Sequence, residues 1–247
     1  MGLAVLAAAE LLGDRAGDDV AHRRRQLLAR VAHERVGGAR QDRRERLAQA
    51  HLEHEVELTI PADAAPSAEG KITKVRWKVV ATLARPHARD VHGEAKVEVL
   101  SPAASDALAA PDVDAHGDCR LSFELRRSDF GPGDAVEGTL VANPLRECRL
   151  DEVRVELRRD EKVPRKKGNE ARVREAEVKL DAEVELSTLV PREWPFRLEL
   201  PADLVPCLET EESRVTWSLK GVASRRLRFD ERVTLPIDVH TAPSRES

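Results

Sequence analysis

The residues with the clearest chemistry in this sequence are basic and lie close together between two stretches of alternating apolar residues. They are Arg158, Arg159, Lys162, Arg165, Lys166, Lys167, Arg172 and Arg174. Guanidinium and ammonium groups at this density bind carboxylates and anionic headgroups, although acidic residues such as Asp160 are interleaved. The cluster predicts either a solvated hairpin loop or a contact for an acidic protein partner or anionic lipid. Arg225, Arg226 and Arg228 would extend it.

Residues for catalysis or metal binding form no comparable pattern. Among the histidines, only His51 and His54 are close together at helical spacing, which is a weak metal-binding signal. The sequence contains no G-x-S-x-G motif and no glycine-rich phosphate loop, and its cysteines lack a catalytic context. We therefore expect a protein that is not an enzyme and has no metal, cofactor or small-molecule substrate.

The bulk composition narrows the function further. A net charge of -4 and a pI near 6.1 argue against general nucleic-acid binding, which needs a basic surface. Cys119, Cys148 and Cys207 show no CxxC spacing, which favours buried thiols in a reducing compartment. There is no apolar run long enough for a membrane helix, and the N-terminus is a poor signal peptide. These features favour a cytoplasmic location.

An internal repeat in the sequence indicates the strands that would position the basic cluster. Residues 56–85 match residues 196–225 without a gap, at an offset of 140. In the first copy the recurring residues are Pro61, Ala62, Asp63, Pro66, Val75, Trp77, Arg85 and, just beyond, Asp90. A Pro-Ala-Asp turn and a tryptophan at the same offset predict two related domains.

Period-two alternation of apolar residues predicts strands in both copies. The first copy has three, at 56–60, 75–83 and 95–99, and the second domain has seven, at 121–125, 136–140, 153–157, 176–186, 196–200, 215–219 and 233–239. Trp77 and Trp217 are in phase with the apolar residues of their strands, so we expect core positions. Trp194 precedes a proline and is expected at a partly exposed strand edge. Seven alternating strands separated by turns are typical of an antiparallel β-sandwich.

Residues 1–53 differ from the rest because they are rich in Ala and Arg. Apolar residues such as Leu27, Leu28 and Val31 predict helical stripes or disorder rather than strands. The predicted domains are 1–53 as an atypical segment, 54–100 as the second half of a first sandwich, 101–118 as a linker, 119–242 as a complete sandwich and 243–247 as a tail.

Two interpretations of the incomplete first domain stay open. Either helices replace the lost strands, or the start or reading frame is misplaced, since the excess of Arg over Lys indicates GC-rich coding. An intact native mass of 27.4 kDa together with a helical N-terminus would contradict the second interpretation.

Several motifs resemble those of arrestin-fold domains. They are the turn 130–134 (FGPGD) with the strand that follows it, the strand 150–157 (LDEVRVEL), and the ending formed by 196–201, 215–222 and 228–230. The resemblance covers 119–241 well and 56–100 as half of a partner domain. It implies an all-β fold of two tandem arrestin-like, immunoglobulin-like sandwiches, the first truncated.

The resemblance also implies a role, because arrestin-like proteins, bacterial sporulation-control proteins and the arrestin-shaped retromer subunit act as adaptors. We therefore expect a cytosolic adaptor or regulatory scaffold that binds another protein. The alternative is a peripheral module, of a stress-response or sporulation-control kind, that binds anionic lipid through the basic loop 158–174. The family's buried charged core and phosphate-sensing lysines have no matching positions, so phosphate sensing is not implied.

Overall fold

Alternating apolar and polar residues make the described part of this chain all-β. The computed structural model describes residues 5–11, 25–33, 52–61, 63–83, 89–102, 112–113, 117–163, 169–188, 190–226 and 228–242, with side chains from residue 56 onward except at 112–113. Over these ranges there is no helix long and apolar enough to cross a membrane.

The strands group into two compact units. In chain order they are β1 (Val5–Leu11), β2 (Arg25–His33), β3 (Leu52–Ile60), β4 (Ala68–Glu69), β5 (Lys74–Val75), β6 (Trp77–Leu83), β7 (Val91–Val97), β8 (Asp112–Val113), β9 (Cys119–Leu125), β10 (Asp129–Phe130), β11 (Ala135–Pro144), β12 (Cys148–Val163), β13 (Asn169–Leu186), β14 (Arg192–Glu199), β15 (Leu208–Glu209), β16 (Arg214–Ser224) and β17 (Glu231–Val239). Unit 1 takes its described residues from 1–64 and 76–99, and unit 2 from 65–75 and 100–247. The short hairpin β4–β5 therefore belongs to unit 2.

Unit 1 contains strands where helical stripes were expected. Its sheets have the orders β1-β6-β7 and β2-β3, so the described parts of residues 1–53 are extended, and the helical prediction is wrong there. β1 pairs antiparallel with β6 from Val5 opposite Leu83 to Leu11 opposite Trp77. This pairing satisfies backbone groups along one side of β6, and such tertiary pairing overrides the helix propensity of Ala and Leu.

Unit 2 is a β-sandwich with all seven of the strands predicted for it. The larger sheet has the order β10-β17-β16-β12-β13, with β15 beside β16 and β8 beside β17, and the smaller sheet has the order β14-β11-β9. Core residues from both sheets, such as Leu140 and Leu219, are fully buried, and Val136, Leu150 and Leu157 share this environment. The sandwich thus follows the alternation in the sequence.

The sequence repeat is also a repeat of strand register. In unit 1, β6 pairs with β7 so that Trp77 lies opposite Val97. In unit 2, β16 pairs with β17 so that Trp217 lies opposite Ile237, which is the same pairing 140 residues later. The β4–β5 hairpin likewise corresponds to the pairing of β15 with the start of β16. The predicted repeat is therefore confirmed at the level of hydrogen-bonded strand pairs.

The three tryptophans occupy different environments. Trp217 is 2% exposed and its Nε1 donates to the carbonyl oxygen of Val205 at 2.8 Å, which confirms the predicted core position. Trp77 is half-buried. Trp194 lies on the edge strand β14 as expected but is buried, so its predicted exposure is wrong. Its indole faces the core in phase with Phe196 and donates to Asp181 Oδ2 at 2.9 Å.

The FGPGD turn fixes the start of β11. The backbone N–H of Asp134 donates to the carbonyl oxygen of Gly131 at 3.2 Å, and Asp134 Oδ2 accepts from the N–H of Gly131 at 2.8 Å. Gly133 has φ +76°, a left-handed conformation that glycine adopts without strain. The motif that carried the family resemblance is thus a tight turn closed on itself by hydrogen bonds.

We expect Gly221→Ala to destabilise unit 2, because a Cβ there would lie 2.7 Å from Leu140 Cδ1 and 2.9 Å from Val233 Cγ1. Overpacking of this kind costs about 1–3 kcal/mol. The matched control is Gly93→Ala, whose Cβ would meet no described atom within 4 Å. Chemical denaturation followed by tryptophan fluorescence measures both variants, and equal midpoints for the two would contradict the packing argument.

Candidate functional site: a basic groove on the larger sheet

A groove of about 520 Å³ crosses the outer face of the larger sheet of unit 2. Its lining, here called the basic groove, consists of Arg158, Asp160, Glu161, Lys162, Glu170, Ala171, Arg172, Arg214, Thr216, Trp217, Ser218, Lys220, Thr234 and Pro236. Within 158–162 of β12, 214–220 of β16 and 234–236 of β17, the even-numbered residues point outward because side chains alternate across a strand. The groove therefore gathers outward side chains from neighbouring strands.

Positive charge dominates the outward side chains of the groove. The cations are Arg158, Lys162, Arg172, Arg214 and Lys220, whereas the outward carboxylates are Asp160 and Glu170. Glu161 and Trp217 also line the groove but their side chains are buried. The net excess of cations suits an acidic ligand.

Most of these cations have exposed carboxylate neighbours. Lys162 Nζ lies 3.2 Å from Glu170 Oε1, and Arg172 Nη2 lies 3.6 Å from the other oxygen of the same carboxylate. Arg214 Nη1 lies 3.8 Å from Glu209 Oε1. Ion pairs between exposed side chains contribute little stability, so these cations can exchange their partners for carboxylates of a ligand at small cost.

Two cations of the groove lack such an exposed partner: Arg158 is paired with the fully buried carboxylate of Glu156, and Lys220 has no ion-pair partner among the described residues. Lys220 is half-buried, and its ammonium makes neither a hydrogen bond nor an ion pair with any described residue. Burial lowers the pKa of Lys220, and the nearby guanidinium groups of Arg158, Arg232 and Arg154 lower it further, with Glu156 acting in the opposite direction. Glu156 lies opposite Lys220 across the strand pair but is already bound by Arg154 and Arg158, so the ammonium of Lys220 has no ion-pair partner of its own among the described residues.

The predicted basic residues divide between several places. Arg158, Lys162 and Arg172 line the basic groove, and Arg174 lies on β13, where it bonds Glu177. Arg165, Lys166 and Lys167 lie outside the described residues.

The predicted extension of the cluster to residues 225–228 is wrong. Arg225 follows Ser224 at the end of β16, which pairs with Glu152 near the start of β12, whereas the basic hairpin joins the other end of β12 to β13. Arg225, Arg226 and Arg228 therefore lie at the opposite end of the larger sheet.

The prediction that Arg159 belongs to an exposed basic loop is also wrong, because Arg159 is buried. Val153, Val155 and Leu157 face the core, and the same phase carries the side chains of Arg159 and Glu161 inward. These two residues and Glu175 form the buried charge cluster. Arg159 Nη1 donates to Glu161 Oε1 at 2.6 Å, and its Nε donates to Glu175 Oε1 at 2.8 Å.

Glu161 joins this cluster to the turn between β4 and β5. Its side chain is fully buried, and its carboxylate accepts hydrogen bonds from the backbone N–H groups of Lys71, Ile72 and Thr73 at 2.8, 2.9 and 3.0 Å. Burial raises the pKa of Glu161, but these three donors and Arg159 outweigh it, so the pKa lies below its ordinary value. Convergent backbone N–H groups of this kind form an anion-binding concavity, here filled by the protein's own carboxylate.

The close approach of that turn depends on Gly70. A Cβ at this position would lie 2.6 Å from both oxygens of Glu161. The N–H of Gly70 also donates to the carbonyl oxygen of Thr73 at 2.7 Å, which closes the turn. Glycine is therefore required where the backbone passes directly over the carboxylate.

The described residues offer little for catalysis. Within them no group of three or more His, Cys, Asp or Glu side chains is placed to hold a metal ion, and the side chains of His51 and His54 lie outside the description. The three cysteines are free thiols. Burial raises the pKa of Cys119 and of Cys207 to about 12, so both are protonated and weakly nucleophilic at neutral pH.

The pattern of charged residues did not identify Glu161 and Lys220 as parts of the site. Glu161 continues the inward phase of β12, so strand phase rather than residue type marks it as buried. Lys220 lies on β16 at a position opposite Glu156 of β12, and only that strand pairing reveals that it shares a surface with the basic cluster. Pairing between distant strands is a tertiary property that local patterns do not give.

We expect Glu161→Gln to destabilise the protein at neutral pH by about 3 kcal/mol, because it leaves buried donors and Arg159 without a charged acceptor. The lowered pKa of Glu161 means that its contribution is complete above the ordinary value of 4.5 and is lost as the pH falls through the folded-state pKa. The variant should therefore lose less stability than the wild type on acidification.

Urea denaturation at a series of pH values measures both effects. Glu170→Gln is the matched control, since its carboxylate is half-exposed and its partners among the described residues are the exposed Lys162 and Arg172. An equal loss in the two variants, or an unchanged acid dependence in Glu161→Gln, would contradict the role assigned to the buried carboxylate.

No protein-family model matches the chain, and no curated protein matches it. Among solved structures, the chain is similar to Spo0M, a sporulation control protein from Bacillus subtilis, with 14% sequence identity and a TM-score of 0.44. The similarity covers 50% of this chain and 49% of that protein, so it spans about half of each.

Proposed function

We propose that this chain is a non-enzymatic adaptor or regulatory scaffold that binds an acidic segment of a partner protein in the basic groove. The observation that carries the proposal is Lys220, a half-buried cation that makes no hydrogen bond or ion pair with a described residue and whose neighbour across the strand pair, Glu156, is already bound by Arg154 and Arg158. A ligand carboxylate above Lys220 would supply an ion-pair partner. Lys162 and Arg172, whose present partners are exposed, lie in the same groove and would bind neighbouring carboxylates.

The shape and chemistry of the groove favour a polypeptide segment over a membrane surface. A groove confined by side chains admits a narrow chain, whereas a bilayer presents a broad plane. Thr216, Ser218 and Thr234 supply hydroxyl groups that can hydrogen-bond peptide groups. Asp160 and Glu170 would repel an anionic plane, but a peptide can place its neutral residues beside them.

The motifs that resemble arrestin-fold domains agree with an adaptor role. That family presents sandwich surfaces to partner proteins and has no catalytic centre. Membership of the family and a cytoplasmic location are parts of this proposal. The alternative, in which the basic residues bind anionic lipid, uses the same cations and is separated from the proposal by the choice of probe.

We expect Arg172→Glu to weaken binding of a fluorescein-labelled decapeptide of alternating Glu and Ser by about tenfold, because one attraction becomes a repulsion. Lys220→Met, which removes the charge and keeps most of the side-chain length, should weaken binding similarly. Fluorescence anisotropy at two salt concentrations measures the affinity, which should fall as salt rises.

The matched control is Arg197→Glu, which makes the same charge change on β14 of the smaller sheet, where the side chain is also exposed. A decapeptide of Lys and Ser controls for non-specific binding. Equal weakening by Arg172→Glu and Arg197→Glu would contradict the proposal. Binding to anionic vesicles but not to the acidic peptide, lost in Arg172→Glu, would replace it with the lipid alternative.

A further inference from the structure

Exposed apolar side chains concentrate at one end of unit 2. Among the described residues, the exposed large hydrophobic side chains are those of Leu100, Leu145, Val190 and Phe229, with exposed fractions of 38%, 55%, 66% and 97%. The last three lie in three different loops, between β11 and β12, between β13 and β14, and between β16 and β17. Phe229 is almost completely surrounded by solvent.

Strand pairing places these three loops at the same end of the sandwich. Cys148, the first residue of β12, lies opposite Leu186, the last residue of β13. The end of β16 pairs with the start of β17, since Ala223 lies opposite Glu231. β11 ends at this level too, immediately before the first of the three loops. We call the described residues 145–147, 187–188, 190–191, 225–226 and 228–230 the loop end.

Asp118 holds two of these loops in place. Its carbonyl oxygen accepts hydrogen bonds from the backbone N–H groups of Leu145 and Arg146 at 2.7 and 3.2 Å. Its carboxylate accepts from Arg225 Nη2 at 2.7 Å and from Arg228 Nη1 at 3.1 Å. One residue thus fixes the backbone beside Leu145 and the arginines that precede Phe229.

Glu231 completes the arrangement. Its carboxylate accepts from Arg225 Nη1 at 3.0 Å and from the N–H of Asp118 at 2.9 Å. Arg225 is 10% exposed, so this ion-pair network is largely buried. A loop anchored in this way loses little conformational freedom when its outward side chains bind something.

Cations accompany the apolar side chains. Arg146 follows Leu145, Arg192 lies two residues beyond Val190, and Arg228 precedes Phe229, with exposed fractions of 80%, 58% and 66%. Apolar side chains beside arginines are typical of surfaces that dip into the headgroup region of a membrane, where the ring or aliphatic chain enters the apolar boundary and the guanidinium meets phosphate.

We propose that the loop end of unit 2 inserts Phe229, Val190 and Leu145 shallowly into a phospholipid bilayer. A bilayer is favoured over a protein partner because the three side chains share a level at the end of the sandwich but stand on separate loops. A flat, deformable surface can receive all three without a matching pocket. The loop end is distinct from the basic groove, so this inference does not depend on the proposed function.

The test is co-sedimentation with vesicles of phosphatidylcholine, with and without phosphatidylserine. Phe229→Ser should lower the bound fraction about tenfold, because its ring supplies most of the apolar area that leaves water. Leu100→Ser is the matched control. Leu100 precedes Ser101, which hydrogen-bonds Thr241 beyond the end of β17, so it lies away from the loop end. It should bind as the wild type does.

Insertion itself can be read from Phe229→Trp and Leu100→Trp. Brominated lipid should quench the added fluorescence of the first variant and not of the second. Absence of wild-type binding to both vesicle types, or equal binding by Phe229→Ser, would overturn the proposal. So would self-association of the wild type that Phe229→Ser abolishes, since the loop end would then bind a second copy of the chain. Binding of the acidic peptide is measured in parallel and should be unchanged in Phe229→Ser.

Discussion

The carboxylate of Glu161 is the interaction on which the end of unit 2 depends. It lies in line with Val153, Val155 and Leu157 on the inward side of β12, where the apolar core gives way to charge. An isolated carboxylate would be costly there. Arg159 supplies a positive partner, and the backbone of 71–73 supplies three donors, so the charge is stabilised by groups from two distant parts of the sequence. At this carboxylate the core therefore ends in a network of hydrogen bonds rather than at water.

The two copies of the repeat share local structure but have acquired different surroundings. Their hairpins and central strand pairs have the same register, since the spacing of prolines, turns and tryptophans is kept. The hairpin of the second copy lies beside β16, and that of the first copy reaches Glu161. Equivalent residues thus perform different tasks. Thr210 takes the place of Gly70, and its hydroxyl bonds within its own turn, donating to the carbonyl oxygen of Ser213 at 3.1 Å.

The sequence predicted those features that depend on neighbours along the chain. The alternation of apolar and polar residues predicted the seven strands of unit 2. The glycines of the FGPGD motif predicted a tight turn, and the positive φ of Gly133 explains why glycine stands there. The sequence also predicted part of the groove, because Arg158, Lys162 and Arg172 are clustered on adjoining strands. It did not reveal the burial of Arg159, which depends on a partner network completed by residues about 90 positions away. The strands β1 and β2 were not predicted for the same reason. Their sequences are rich in Ala and Leu, and they are extended because they pair with strands distant in the sequence.

Membership of residues 65–75 in unit 2 has a consequence for how this protein can be divided. The chain enters unit 2, returns to unit 1 at residue 76, and enters unit 2 again at residue 100. A fragment cut within the segment 101–118 would contain Glu161 without the N–H groups of Lys71, Ile72 and Thr73. It would also expose the core side chains that Ala68 and Val75 cover. The second sandwich is therefore built from two separate stretches of the chain. If evolution transferred only the contiguous part of the second sandwich to another protein, residues 65–75, which close the end of the sandwich at Glu161, would be lost.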